Sequence, residues 1–302
     1  GTTAPRGQRG GQGLPSALPR LLRVAAALDV PARWSGRCCC CSCAPRARCA
    51  RPSPAAGERQ GRGREAARGA RAALTRERRC TVERADAALS YARFVERFAF
   101  SRPVVIRGLT DNAAFRALCT RDRLLAAFGQ RRVRLSTANT YSYRKVDMPF
   151  QEYVEHLLEP QDLALLGSDT LYFFGDNNFT EWGSLFQNYV PPPFRLPGTT
   201  SAYSFGIAGS GSGVPFHWHG PGFSEVIFGR KRWFLYPPEH TPEFHPNRTT
   251  LSWLLDTYPR LPPEARPLEC TIRPGEVLYF PARWWHATLN LDTSVFISTF
   301  LG

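Results

Sequence analysis

Two stretches decide how this chain reads: GVPFHWHGPG at 213–222 and PARWWHATLNL at 281–291. In the first, His217 and His219 stand two residues apart, so on an extended segment both side chains leave the same face. In the second, His286 follows His219 by 67 residues. Around them lie short aromatic or β-branched runs at 203–207, 223–228, 232–236, 269–273, 277–280 and 295–300, punctuated by Gly and Pro. That pattern predicts an antiparallel barrel or jelly roll. Two facing strands of such a barrel would bring the three histidines together. A lone histidine usually packs or caps; the motifs that surround these three change that reading.

Working outward, 80–200 mixes helices with short strands. Tyr91, Phe94, Val95 and Phe98 share one face of a helix predicted over 89–100. Arg102-Pro103 ends it, and Val104, Val105 and Ile106 read as a strand closed by Gly108. Helices are expected at 112–118, 121–128 (stopped by Gly129) and 150–158, and strands at 133–137 and 171–174. A helical insertion is expected at 250–258.

The first 79 residues read differently. They hold 17 of the 39 basic side chains and four acids, and lack Phe, Tyr, Ile, Lys, Met and Asn altogether. Trp34 is their one aromatic, against 36 in 80–302. Such a segment buries too little apolar surface to offset its ordering entropy, so 1–79 is expected to be a disordered Arg/Ala/Gly/Pro-rich tail. Its composition is equally that of translated GC-rich leader sequence, a gene-model artefact. Cys38, Cys39, Cys40, Cys41, Cys43 and Cys49 lack the paired spacing of a zinc site and read as compositional. Of the net charge of +14, all but +1 belongs to this tail; 80–302 is near neutral, which argues against a nucleic-acid partner. No apolar run is long enough to span a membrane. Leu14 to Val30 is interrupted by Arg20, Arg23 and Asp29, so no signal peptide is read there.

Between the histidine motifs run GRKRWFLYPP at 229–238 and GEVLYFPARWWH at 275–286. With PFHWHGPG, these resemble the JmjC branch of the cupin-fold oxygenases. There HxD or HxE is followed by a GxKxW strand ending in a Pro pair, and then by GDxLYxPxxWWH. YARFVERFAFSRPVVIRGL at 91–109 is similar to the family's opening segment. The resemblance covers essentially all of 80–302. It implies a mainly β (α+β) fold, a double-stranded β-helix or jelly-roll cupin barrel, with N-terminal helices over 80–200 and the barrel core over 201–302.

The resemblance also implies a site. His217 and His286 match the two metal-ligand histidines of the family, and Lys231 matches the lysine that binds 2-oxoglutarate. The family's acid ligand position is occupied by His219. Three imidazoles can hold a divalent metal, but with one more positive charge than two imidazoles and a carboxylate. Val214 stands where relatives often carry a hydroxyl that helps bind 2-oxoglutarate. Glu225 replaces the missing carboxylate only if the intervening loop folds back. Trp233, Trp284 and Trp285 read as core, and Glu276 as a structural turn residue.

Two functions follow as expectations. The first is a protein with a degenerate metal site, regulatory or binding rather than catalytic, with zinc or no cofactor. The second is an active protein hydroxylase using Fe(II), 2-oxoglutarate and a three-histidine centre. The resemblance, with sequons at Asn178 and Asn247, implies a glycoprotein of the endoplasmic reticulum lumen with protein partners in the secretory pathway. The chain stops at Phe300-Leu301-Gly302 without a KDEL-type ending, so retention there is expected to need a partner. Cys80, Cys119 and Cys270 allow one disulfide and one free thiol, with the pairing open.

Overall fold

The computed structural model describes residues 68–69, 71–72, 76–141, 144–163, 170–175 and 179–302. Asn178 and the cysteine run at 38–49 lie outside the described residues, as does most of the expected tail.

Among the described residues, twelve strands form two sheets. They are β1 (Glu83–Asp86), β2 (Val104–Arg107), β3 (Arg132–Thr137), β4 (Lys145–Pro149), β5 (Leu171–Phe174), β6 (Ser201–Ala208), β7 (Gly222–Phe228), β8 (Lys231–Tyr236), β9 (Leu268–Ile272), β10 (Glu276–Phe280), β11 (Trp285–Asn290) and β12 (Ser294–Leu301). The large sheet runs β1-β2-β10-β7-β12-β6-β5-β3-β4 and the small one β11-β8-β9. All pairings are antiparallel except β1 with β2. The fold is therefore mainly β and jelly-roll-like. Alternation along each strand sorts the side chains. On β8, Trp233 and Leu235 join Val226, Leu278 and Phe280 between the sheets, while Phe234 and Tyr236 face outward.

Helices cover both outer faces. Over the large sheet lie α2 (Ala113–Leu118), α3 (Arg121–Phe128), α4 (Phe150–Glu152) and α5 (Gly183–Phe186). They bury Phe115, Phe128, Phe150, Trp182 and Leu185 against Phe173, Phe205, Ile207, Ile227 and Ile297. Full burial of each such side chain stabilises by about 1.5–3 kcal/mol. Over the small sheet lies α6 (Thr250–Asp256), whose Leu251, Trp253 and Leu254 pack on Phe234, Ala287 and Leu289. Thr249 caps it, accepting from the Ser252 amide at 3.1 Å.

α1 (Tyr91–Arg97) is shorter than the expected 89–100 because Ser90 caps it and the chain turns after Phe98. Phe94 and Phe98 face the core, but Tyr91 is 48% exposed, its hydroxyl on the Arg195 carbonyl. The helix expected over 150–158 becomes α4 followed by a π-helical turn, Tyr153–Leu157. That wider turn buries Tyr153, whose hydroxyl donates to the Ile207 carbonyl of β6 at 2.7 Å.

A disulfide joins Cys80 to Cys270 on β9, and Cys119 is a buried free thiol. Thr81 pairs with the backbone of Glu269 beside that link, and Glu77 forms ion pairs with Arg230 and Arg273. Residues 76–82 are thereby strapped along β8 and β9.

Candidate metal centre

His217 and His286 are neighbours in one ladder, not residues of facing strands as the sequence suggested. The His217 amide donates to the His286 carbonyl at 3.1 Å, and the return bond is 2.8 Å. Two further bonds, Thr288 amide to Val214 carbonyl and Asn290 amide to Ser212 carbonyl, run 211–217 along the open edge of β11. This irregular fourth strand keeps His217 and His219 on the inward face. The turn before β11 then fixes the end of the segment, since the Arg283 amide donates to the His219 carbonyl at 2.8 Å.

One ligand atom from each of His217, His219 and His286 lies within 4.8 Å of the others. Each ring is held from behind by a carbonyl. His217 Nδ1 lies 2.8 Å from Pro215 O, His219 Nδ1 2.8 Å from Gly220 O, and His286 Nδ1 2.9 Å from Trp284 O. A carbonyl only accepts, so each Nδ1 carries the hydrogen and each Nε2 keeps its lone pair. The Nε2 atoms of His219 and His286 approach to 3.1 Å. Two such lone pairs repel unless a cation lies between them. A proton is a poor occupant. Burial pushes the His217 ring down to about 3, and any proton on the neighbouring His219 would lower it further; burial also holds His286 well below the usual range. Burial lowers His219 too. The donor set therefore fits a divalent metal bound by three neutral imidazoles.

Lys231 lies deeper in the same barrel. It is 3% exposed, with Nζ 3.2 Å from the centre of the Phe296 ring and 5.7 Å from that of Phe174. It has no carboxylate partner among the described residues, and burial holds its ammonium well below the usual lysine range. Tyr172, on β5, packs on the same two rings, and its buried hydroxyl has no hydrogen-bond partner. Val214 packs against this group. Lys231 and Tyr172 thus share the Phe174 and Phe296 rings, one with a buried amine and the other with an unpartnered hydroxyl, groups of the kind that hold a buried anion. Sequence reasoning missed Tyr172. The signal was there: the alternation of Leu171-Tyr172-Phe173-Phe174 puts Tyr172 and Phe174 on the barrel side and Phe173 among the outer helices.

Glu225 does not supply a carboxylate to the centre. It sits on the outer face of β7, accepting from Thr110 Oγ1 at 2.6 Å, from Asn112 Nδ2 and from the Tyr189 hydroxyl. Burial pushes its carboxyl above the usual range, and those donors oppose the rise. Trp233 and Trp284 are buried between the sheets and Trp285 packs on the outer cluster. Glu276 holds the Arg273 amide and Arg84. Asn247 is exposed in the loop before α6. The other histidines, His156, His240 and His245, stand apart from the centre.

Comparison with known proteins gives a family. The profile of the cupin-like domain matches residues 92–300. JmjC domain-containing protein 8 of Homo sapiens is 79% identical over 230 residues, which are 76% of this chain and 87% of that protein. Its Mus musculus counterpart is 73% identical over 249 residues, 82% of this chain and 91% of that protein. Among solved structures, YcfD, a ribosomal oxygenase from Escherichia coli in complex with cobalt and 2-oxoglutarate, aligns over 71% of this chain and 51% of its own. The identity is 19% and the TM-score 0.43.

Proposed function

This chain belongs to the cupin-like family and to its JmjC-domain proteins, and from that premise we propose that it is a regulatory or binding protein of the endoplasmic reticulum lumen built around a three-histidine metal centre. The observation that carries this reading is the donor set. His217, His219 and His286 are all neutral, and among the described residues the cluster includes no carboxylate. A metal held there keeps its full double charge, and so favours retention of an anionic ligand. The three backbone carbonyls hold each ring by its Nδ1 and leave each Nε2 free to bind a metal. When bound, the metal supplies a Lewis-acid centre with positions open to an anion.

The luminal placement is supported by the Cys80–Cys270 disulfide, since such links persist in oxidising compartments, and by the exposed sequon at Asn247. No helix among the described residues is long and apolar enough to cross a membrane. Partners would then be proteins of the secretory pathway.

A second reading is favoured by one specific observation. Lys231 brings a buried amine and Tyr172 an unpartnered hydroxyl to the Phe174 and Phe296 rings, and such groups suit the distal carboxylate of 2-oxoglutarate in an active hydroxylase. In that reading His217, His219 and His286 hold Fe(II), Lys231 and Tyr172 orient the co-substrate, and the apolar walls from Phe174 and Phe296 exclude water.

The test is metal content and 2-oxoglutarate binding on the full chain, loaded anaerobically with Fe(II) or with Zn(II), followed by succinate release in air. One equivalent of either metal with no succinate supports the regulatory reading. Succinate release that disappears in Lys231→Met and His286→Ala replaces it with the hydroxylase. No metal with either ion removes both.

A further inference from the structure

Gly206 on β6 and Phe296 on β12 are direct partners across the two strands. A Cβ on Gly206 would lie 2.6 and 2.7 Å from two carbons of the Phe296 ring, and 2.9 Å from the Phe173 carbonyl oxygen. Position 206 thus goes without a side chain where the ring is seated. On the other side of β12, the pairing with β7 slips by one residue between Val295 and Phe296. Such a bulge bends a strand and re-aims a side chain. Val295 and Ile297 lie under the outer helices, whereas Phe296 turns into the barrel and is fully buried with Tyr172, Ala208 and Val214.

What the ring covers is an amine. Its centre lies 3.2 Å from Lys231 Nζ, and Nζ also stands over the rings of Phe174 at 5.7 Å and Trp233 at 5.8 Å. The face of an aromatic ring carries the negative part of its quadrupole, so it attracts an ammonium and repels a carboxylate. The three rings therefore give Lys231 the company that an anion would otherwise give it. A carboxylate can reach Nζ from the side of Phe296 only by displacing a ring that the bulge and the bare Gly206 hold in place. The co-substrate implied by the family resemblance has such a carboxylate at its far end, and with Phe296 seated it does not fit there.

We propose that Phe296 is a specificity-determining residue: it plugs the barrel over Lys231, so that dicarboxylates such as 2-oxoglutarate are barred and an anion binds the histidine centre through its metal-facing end alone. This deepens the regulatory reading of the centre and rests on it, since a site that does not hold the dicarboxylate binds without oxygenating.

The experiment compares the full-length wild type with Phe296→Ala, Phe296→Leu and the double variant Phe296→Ala/Lys231→Met. Pyruvate and 2-oxoglutarate are titrated anaerobically into Co(II)-loaded protein and followed by the visible Co(II) bands. Both carry a 2-oxo acid head for the metal, and only 2-oxoglutarate carries the distal carboxylate. The wild type should bind the two alike. Phe296→Ala should bind 2-oxoglutarate about tenfold or more tighter than pyruvate, as one new charge-assisted hydrogen bond to Lys231 gives. Phe296→Leu, which keeps most of the side-chain volume and so guards against a failure to fold, should show a smaller preference of the same sign, and the double variant none. A tenfold preference in the wild type overturns the proposal, and so does no preference in either single variant that melts cooperatively. Glutarate, which has both carboxylates and no 2-oxo group, is read on metal-free protein by saturation-transfer NMR. Contact with Phe296→Ala and none with the wild type is expected; equal contact overturns the plug. Because this arm needs no metal, a chain that loads no Co(II) removes the proposed function while the role of Phe296 is still decided.

Discussion

At the scale of single residues, the centre is defined by protons it does not hold. His217, His219 and His286 are neutral when buried, whereas in the unfolded chain each takes a proton below about 6.5. The unfolded state therefore binds more protons in acid, and the native state loses stability as pH falls from about 6.5 toward the His217 value of about 3. Each histidine still neutral in the fold contributes a slope of about 1.4 kcal/mol per pH unit. Glu225 works in the opposite sense. Its raised folded value means stability lost as pH rises above 4.5, so Glu225→Gln steepens the acid-side slope. Urea denaturation of metal-free protein between pH 4.5 and 6.5 should show His217→Gln with a slope shallower by about one proton. Identical slopes would mean His217 is charged in the fold, and the three-imidazole site would be wrong. These histidines and Lys231 are legible because each sits in a contiguous motif. Tyr172 is not, because what it shares with Lys231 is only the rings of Phe174 on β5 and Phe296 on β12, far apart in the chain. The left-handed backbone of Arg283, at φ 66°, is not legible either, since nothing in PARWWH marks the turn.

At the scale of elements, what matters most is the edge of the small sheet. The runs rich in Val, Ile and aromatics read as strands close to their true bounds, as with β5 and β7. β1 and β4 do not, for a physical reason. Both are sheet edges with exposed, charged faces, and β4 ends in Pro149, so neither carries the apolar alternation of a buried strand. β11 is also missed as an element. Its inward residues are polar: His286 belongs to the histidine cluster, while Thr288 accepts from the Val214 amide and Asn290 donates to Ser212. The segment 211–217 can lie on β11 only because Gly213 lacks a side chain. A Cβ there would lie far inside the contact distance of the Thr288 carbonyl, a backbone atom with no room to retreat. Gly213→Ala should push this edge off β11 and carry His217 with it. We expect Co(II) affinity, followed by its visible absorption, to fall at least tenfold while the far-ultraviolet spectrum stays β-rich. Unchanged Co(II) binding would show that the edge pairing does not position His217.

At the scale of the whole molecule, helical and barrel parts are distinguishable in the sequence but interleaved in space. Residues 201–302 supply the middle of the large sheet, β10-β7-β12-β6, and all three histidines. Residues 80–200 supply both flanks, β1-β2 on one side and β5-β3-β4 on the other. They also supply the helices that cover Phe205, Ile207, Ile227 and Ile297. Removing the first part bares two strand edges and those four side chains. Their burial alone stabilises by about 6–12 kcal/mol, comparable to the total of about 5–15 kcal/mol that holds a domain together. The disulfide adds a covalent tie of the same sense, since Cys80 and Cys270 lie 190 residues apart in the chain. The group around Lys231 and Tyr172 would be cut as well, because Tyr172 belongs to the first part and Lys231 to the second. Residues 201–302 made alone should therefore show no cooperative thermal transition and should bind a dye for exposed apolar surface, whereas 76–302 should melt in one step. A cooperative melt from 201–302, with Co(II) still bound by the histidines, would mean that the barrel is a separate folding unit and that the flanking strands merely decorate it.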